Sequence, residues 1–275
     1  MTQHDHDGGL ARDPPLLTRR RLISTAGVAL LAGGAAWILG GTGGQAEANL
    51  AATGANGQTC LKLPGETSGP YPGDGTNSKD GQTVNVLTQT GVVRDDLRPS
   101  FDGMDGVAQG VPLVLDITLV DVGQACTPLA GHAIYVWHAD ADGHYSLYDL
   151  PQRNWLRGVV VTDANGKARL TTIIPGCYDG RWPHIHFEVF ASLDAAVSGR
   201  DALLTSQFAF PQVEVAALYQ AEPLYAASVN NLTRVSLTGD MVFGDNTAEQ
   251  IAAQTLTIQG DVTGCAASVT VGVVV

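Results

Sequence analysis

Val111-Pro112-Leu113-Val114-Leu115-Asp116-Ile117-Thr118-Leu119-Val120 and, further on, His132-Ala133-Ile134-Tyr135-Val136-Trp137-His138 are runs of apolar, β-branched and aromatic residues that read as strands. Asp140-Ala141-Asp142-Gly143 and Asp163-Ala164-Asn165-Gly166 read as turns. Lys167 to Ile174 and Ile185 to Phe190 are further strands, Thr233 to Phe243 and Thr255 to Val262 alternate apolar and polar residues, and Ser268 to Val275 closes the chain. Helical signal is thin and confined to Val213–Tyr219 and Thr247–Gln254. Residues 63–75 carry too much Pro and Gly for regular structure. Short strands at regular spacing predict an all-β fold: an antiparallel β-sandwich with long loops and few short helices.

Composition narrows the function classes. Of 275 residues, 44% are hydrophobic and 15% charged, which is too apolar for a disordered chain. The 33 Gly and 13 Pro exclude a long helical array. A formal net charge of −12 argues against a nucleic-acid partner, because phosphate binding needs a surplus of Lys and Arg.

Paired arginines in Thr18-Arg19-Arg20-Arg21-Leu22 precede an apolar run to Leu39, and Ala46-Glu47-Ala48 offers a small-x-small cleavage site. Residues 1–48 therefore read as a twin-arginine-type signal peptide, with a single uncleaved anchor as the rival reading. This makes the export machinery of that route a partner and the protein a bacterial, exported one. Residues 49–59 are small and polar and read as a flexible tether, leaving 60–275 as the β domain. Cys60, Cys126, Cys177 and Cys265 are an even set in an exported chain, which predicts two disulfides in any of three pairings.

The chemistry-bearing residues crowd into 137–187. On a strand, His184 and His186 share a face about 6.6–6.8 Å apart, close enough to lean onto one ion. Two loop tyrosines, Tyr145 and Tyr178, accompany them. A phenolate is a hard anionic donor, and two phenolates with two imidazoles favour ferric iron over zinc or copper. The alternative for each residue is ordinary packing or surface exposure. A metal-dependent hydrolase would need a general base, for which Asp179 is the nearest carboxylate.

The motifs Trp137-His138-Ala139-Asp140-Ala141-Asp142-Gly143-His144-Tyr145-Ser146, Arg157-Gly158-Val159-Val160-Val161-Thr162-Asp163-Ala164-Asn165-Gly166, Pro175-Gly176-Cys177-Tyr178-Asp179-Gly180-Arg181-Trp182-Pro183-His184-Ile185-His186-Phe187 and Leu204-Thr205-Ser206-Gln207-Phe208 stand in one order. This arrangement resembles the intradiol ring-cleavage dioxygenases, the family of protocatechuate 3,4-dioxygenase and catechol 1,2-dioxygenase, in its compact secreted branch. The resemblance implies a non-haem Fe(III) held by Tyr145, Tyr178, His184 and His186, with O2 as co-substrate and a small aromatic diol as substrate. It implies catalytic roles for Tyr178, for Arg181 facing the ring and for Gln207 beside it. Tyr71 reads either as a cover for the site mouth or as packing. The competing function is a secreted, non-catalytic sandwich that binds polysaccharide or lignin-derived aromatics. A homo-oligomer is compatible with either.

Overall fold

A computed structural model describes residues 50–55, 57–198 and 201–275. The expected signal peptide, 1–48, lies outside the described residues. The strands in chain order are β1 (Ala51–Thr53), β2 (Thr59–Leu61), β3 (Asp74–Lys79), β4 (Gln82–Asn85), β5 (Pro112–Asp121), β6 (Thr127–Pro128), β7 (Ala133–Trp137), β8 (Arg157–Val161), β9 (Lys167–Ile173), β10 (His184–Phe190), β11 (Leu204–Ala209), β12 (Thr257–Asp261) and β13 (Gly264–Val273). Among the described residues the α-helices are short: α1 (Leu193–Val197), α2 (Gln212–Ala221), α3 (Ala226–Leu232) and α4 (Ala248–Gln254). None of the described helices is long and apolar enough to cross a membrane.

Two sheets form the sandwich. One has the order β11-β10-β7-β8, all antiparallel. In the other, β12-β13-β5-β6, strand β9 also pairs with β5. The β5–β13 pair is parallel, from Cys265 opposite Leu113 to Val273 opposite Asp121, so this sheet is mixed rather than purely antiparallel.

Strand periodicity places the core. Leu113, Leu115, Ile117 and Leu119 of β5 meet Ile134 and Val136 of β7 and Ile185, Phe187 and Val189 of β10 between the sheets. The alternate residues Ala133, Tyr135, Trp137 and Phe190 point the other way. They pack under loops through Val86, Leu87, Val92, Tyr145 and Tyr148. The first sheet is thus buried on both faces, and its outer face is where a polar site can be enclosed.

Several sequence expectations are corrected. The expected tether contains β1, which pairs with β2 as a hairpin, and Cys60 in β2 bonds to Cys126. That is one disulfide, not two: Cys177 and Cys265 are buried thiols, beside the carbonyls of Arg181 and Asp261 respectively. Thr233–Phe243 is not a strand. It holds a short 3-10 turn at Leu237–Gly239, because Ser236 accepts the Gly239 N–H and Asp240 accepts those of Val242 and Phe243. Thr247–Gln254 is helical as expected, with a Thr247–Gln250 capping box.

Candidate metal centre

His184 and His186 lie on β10 at alternate positions, so both project from the outer face while Ile185 enters the core. Trp137, opposite His186 on β7, stacks on the His186 ring at 4.9 Å and 6° between planes. Tyr135 stacks on Trp137 in turn. These rings fix the imidazole in one plane.

The tyrosines arrive from two loops that touch. Gly143 has φ +87, and a Cβ there would lie 2.9 Å from Tyr178 Cβ. Only glycine lets the 140–145 loop press against the loop bearing Tyr178. Gly176 does the same below: a Cβ would stand 2.4 Å from the Ala141 carbonyl oxygen.

Four donor atoms converge as a result. Tyr145 Oη lies 3.5 Å from Tyr178 Oη, 3.4 Å from His184 Nε2 and 3.2 Å from His186 Nε2. Tyr178 Oη is 3.3 Å from His184 Nε2, and the two Nε2 atoms are 3.0 Å apart. Four ligands around an ion at about 2.0–2.1 Å have edges of about 3.3–3.4 Å, so the spacing fits one shared cation.

Protonation supports the same reading. His184 Nδ1 donates to the Trp182 carbonyl, which leaves a lone pair on Nε2. Burial, aided by the Arg181 charge, pushes His184 down to about 3, and burial with His184 alongside holds His186 well below the usual imidazole range. Among the described residues His186 Nδ1 is buried with no hydrogen-bond partner, which leaves Nε2 as the atom through which that ring is compensated for its burial. Burial raises Tyr145 far above an ordinary phenol. It also raises Tyr178, against the opposing pull of Arg181. Without a cation the four groups are neutral; with one, the phenols are the groups that would ionise.

Arg181 and Gln207 also meet. Arg181 is buried, its Nη2 donates to Gln207 Oε1 at 2.7 Å, and Gln207 Nε2 donates to the Thr67 carbonyl. Tyr71 packs 5.2 Å from the Tyr145 ring and 4.8 Å from that of Tyr148, covering the centre from the 63–75 segment. Gly69 belongs to the same cover, with a virtual Cβ 3.4 Å from His186 Cε1. His138 is tucked in, with Nδ1 donating to Ala139 and Nε2 accepting from Thr172. Asp179 is exposed and faces Arg234 at 3.6 Å, away from a base's place.

Sequence reading missed Arg157 and Asp240. The Arg157 guanidinium is fully buried and bonded to no carboxylate among the described residues. It donates to the carbonyls of Tyr71, Pro72 and Ser146, to Ser146 Oγ and to Tyr135 Oη. It thereby ties the cover to the strand beneath Tyr145. Asp240 pairs with Arg181 Nε at 3.0 Å. Asp140, Asp142 and His144 form a second acidic cluster, but Asp140 Oδ1 already accepts the N–H groups of the other two and shapes the loop.

Residues 87–217 match a family model described as Dioxygenase. Catechol 1,2-dioxygenase 1 of Acinetobacter lwoffii is 32% identical over 139 residues, which is 43% of this chain and 40% of that protein. Chlorocatechol 1,2-dioxygenase of a Pseudomonas species is 35% identical over 81 residues, 22% of this chain and 32% of that protein. The chain thus spans 40% or less of the length of these curated relatives. The solved structure of an intradiol ring-cleavage dioxygenase from Tetranychus urticae shares the fold at TM-score 0.56 and 21% identity, covering 78% of this chain and 95% of that one.

Proposed function

We propose that this chain is an intradiol ring-cleavage dioxygenase that depends on Fe(III), a reading supported by the match of residues 87–217 to a family model described as Dioxygenase. It would insert O2 between the two hydroxylated carbons of a catechol-type aromatic to give a muconate-type diacid. Both oxygen atoms enter the product, so no external reductant is required. The observation that carries the reading is the convergence of two phenol oxygens and two imidazole Nε2 atoms within 3.0–3.5 Å.

Tyr145, Tyr178, His184 and His186 would hold the iron. When bound, Fe(III) supplies the electron demand that makes a catecholate ring reactive toward O2. The chain's own residues do the rest. Tyr178 is the less buried phenol, and its oxygen can take a proton from an incoming diol. Arg181, enclosed beside it, stabilises negative charge developing on the ring; in a dry site a positioned cation supplies several kcal/mol. Gln207 orients that guanidinium. Tyr71 and Gly69 narrow the mouth and keep water out.

The paired arginines before the apolar run, and the Cys60–Cys126 bond typical of an oxidising compartment, support export by the twin-arginine route. Oxygen uptake against a panel of catechols tests the function. Wild type should consume one O2 per ring cleaved, and Tyr178→Phe should lower the rate. Uptake unaffected by the substitution removes Tyr178 from the mechanism.

A further inference from the structure

The family match ends at residue 217, yet the turn that carries Tyr178 and Arg181 is held by residues beyond it. Tyr219 Oη donates to the Pro175 carbonyl and Tyr225 Oη to that of Ile174, both at 2.7 Å. Ser228 Oγ accepts the Cys177 N–H at 2.9 Å, and Asn231 Nδ2 donates to the Cys177 carbonyl at 2.8 Å. Four side chains of the α2–α3 region thus bind the backbone just before Tyr178.

Asp240 holds the other end of the turn. Its Oδ2 accepts the Trp182 N–H at 2.7 Å and Arg181 Nε at 3.0 Å. Its Oδ1 accepts from Val242 and Phe243. With four donors around it and no exposed side-chain surface, the carboxylate is rigidly placed. Gripping Arg181 at Nε leaves the Nη end to reach Gln207. Asp240 also offsets part of the guanidinium charge from its Nε side. A lone buried guanidinium beside a cation would repel it; an Asp-paired one repels it far less.

We propose that Asp240 is a positioning residue for the ring cleavage. It holds Arg181 turned toward Gln207 and Tyr178 and tempers its repulsion of the metal, while residues 219–231 brace the same turn. This rests on the function proposed above.

A double-mutant cycle tests it, with iron affinity by chelator competition and the kcat-against-KM split as readouts. Asp240→Asn should lower kcat about 100-fold, as ångström-scale misplacement does, with KM changed less than about threefold. It should also weaken iron binding roughly tenfold, the effect of one uncancelled buried charge. In an Arg181→Gln background, Asp240→Asn should lower neither quantity further. A folded Asp240→Asn protein with wild-type kcat and iron affinity overturns the proposal, as does a further loss in the Arg181→Gln background. Should Asp240→Asn alone not fold, the comparison of Arg181→Gln with the double variant still decides. The affinity arm needs no turnover. A chain that binds iron but cleaves no catechol would therefore refute the function and leave the Asp240 cycle decided on its own terms.

Discussion

Gly143→Ala is the sharpest structural perturbation of the phenol pair. At φ +87, an L-residue carries a left-handed penalty of about 1–2 kcal/mol. The new Cβ would also sit 2.9 Å from Tyr178 Cβ. Non-bonded carbons rest at about 3.5–4.0 Å, so the two loops must part by roughly 0.6–1.1 Å. Tyr145 and Tyr178 ride on those loops, and a misplacement of about 1 Å can lower turnover about 100-fold. The stability loss should appear as a fall of about 2–8 °C in melting temperature. Oxygen uptake with catechol and a thermal melt on the same preparation read both effects. A lowered melting temperature with unchanged kcat would show that close approach of these loops does not set the geometry of the phenols.

Two pH-linked outcomes accompany this. Burial first, and the Asp74 charge second, push Glu188 up to about 7 from 4.5, so the folded state binds more protons between those values. The stabilisation from that group is complete below pH 4.5 and is lost as pH rises through 7, up to about 3 kcal/mol. Glu188→Gln should therefore be more stable than wild type at pH 8 and lose that advantage at pH 5; an equal difference at both would contradict the burial argument. Iron loading should release two phenol protons, because burial keeps Tyr145 and Tyr178 protonated in the empty chain. Apparent affinity should then rise up to about 100-fold per pH unit between pH 6 and 8, and a flat profile would mean that the phenols do not ionise on binding.

The residues legible in sequence were those whose role follows from local pattern. His184 and His186 show their shared face through strand periodicity, and Gly143 marks its turn. The sandwich follows from β5, β7 and β10, whose apolar runs leave little choice of element. Asp240 was hidden because its segment alternates like a strand. What it does instead depends on Trp182 and Arg181, 58 and 59 residues away. Arg157 looked like a motif residue only; that its donors bind Tyr71, Pro72 and Ser146 is a tertiary fact. Cysteine parity failed because two thiols found burial without a partner, and parity counts residues, not distances.

The most direct measurement is the visible absorption spectrum of the iron-loaded protein. Tyr145 and Tyr178 bound to Fe(III) as phenolates give a strong charge-transfer band, so the protein should be reddish and should lose intensity in Tyr145→Phe. Protein carrying one iron per chain but colourless would mean that the phenols do not bind the metal, and the four-donor centre would be wrong.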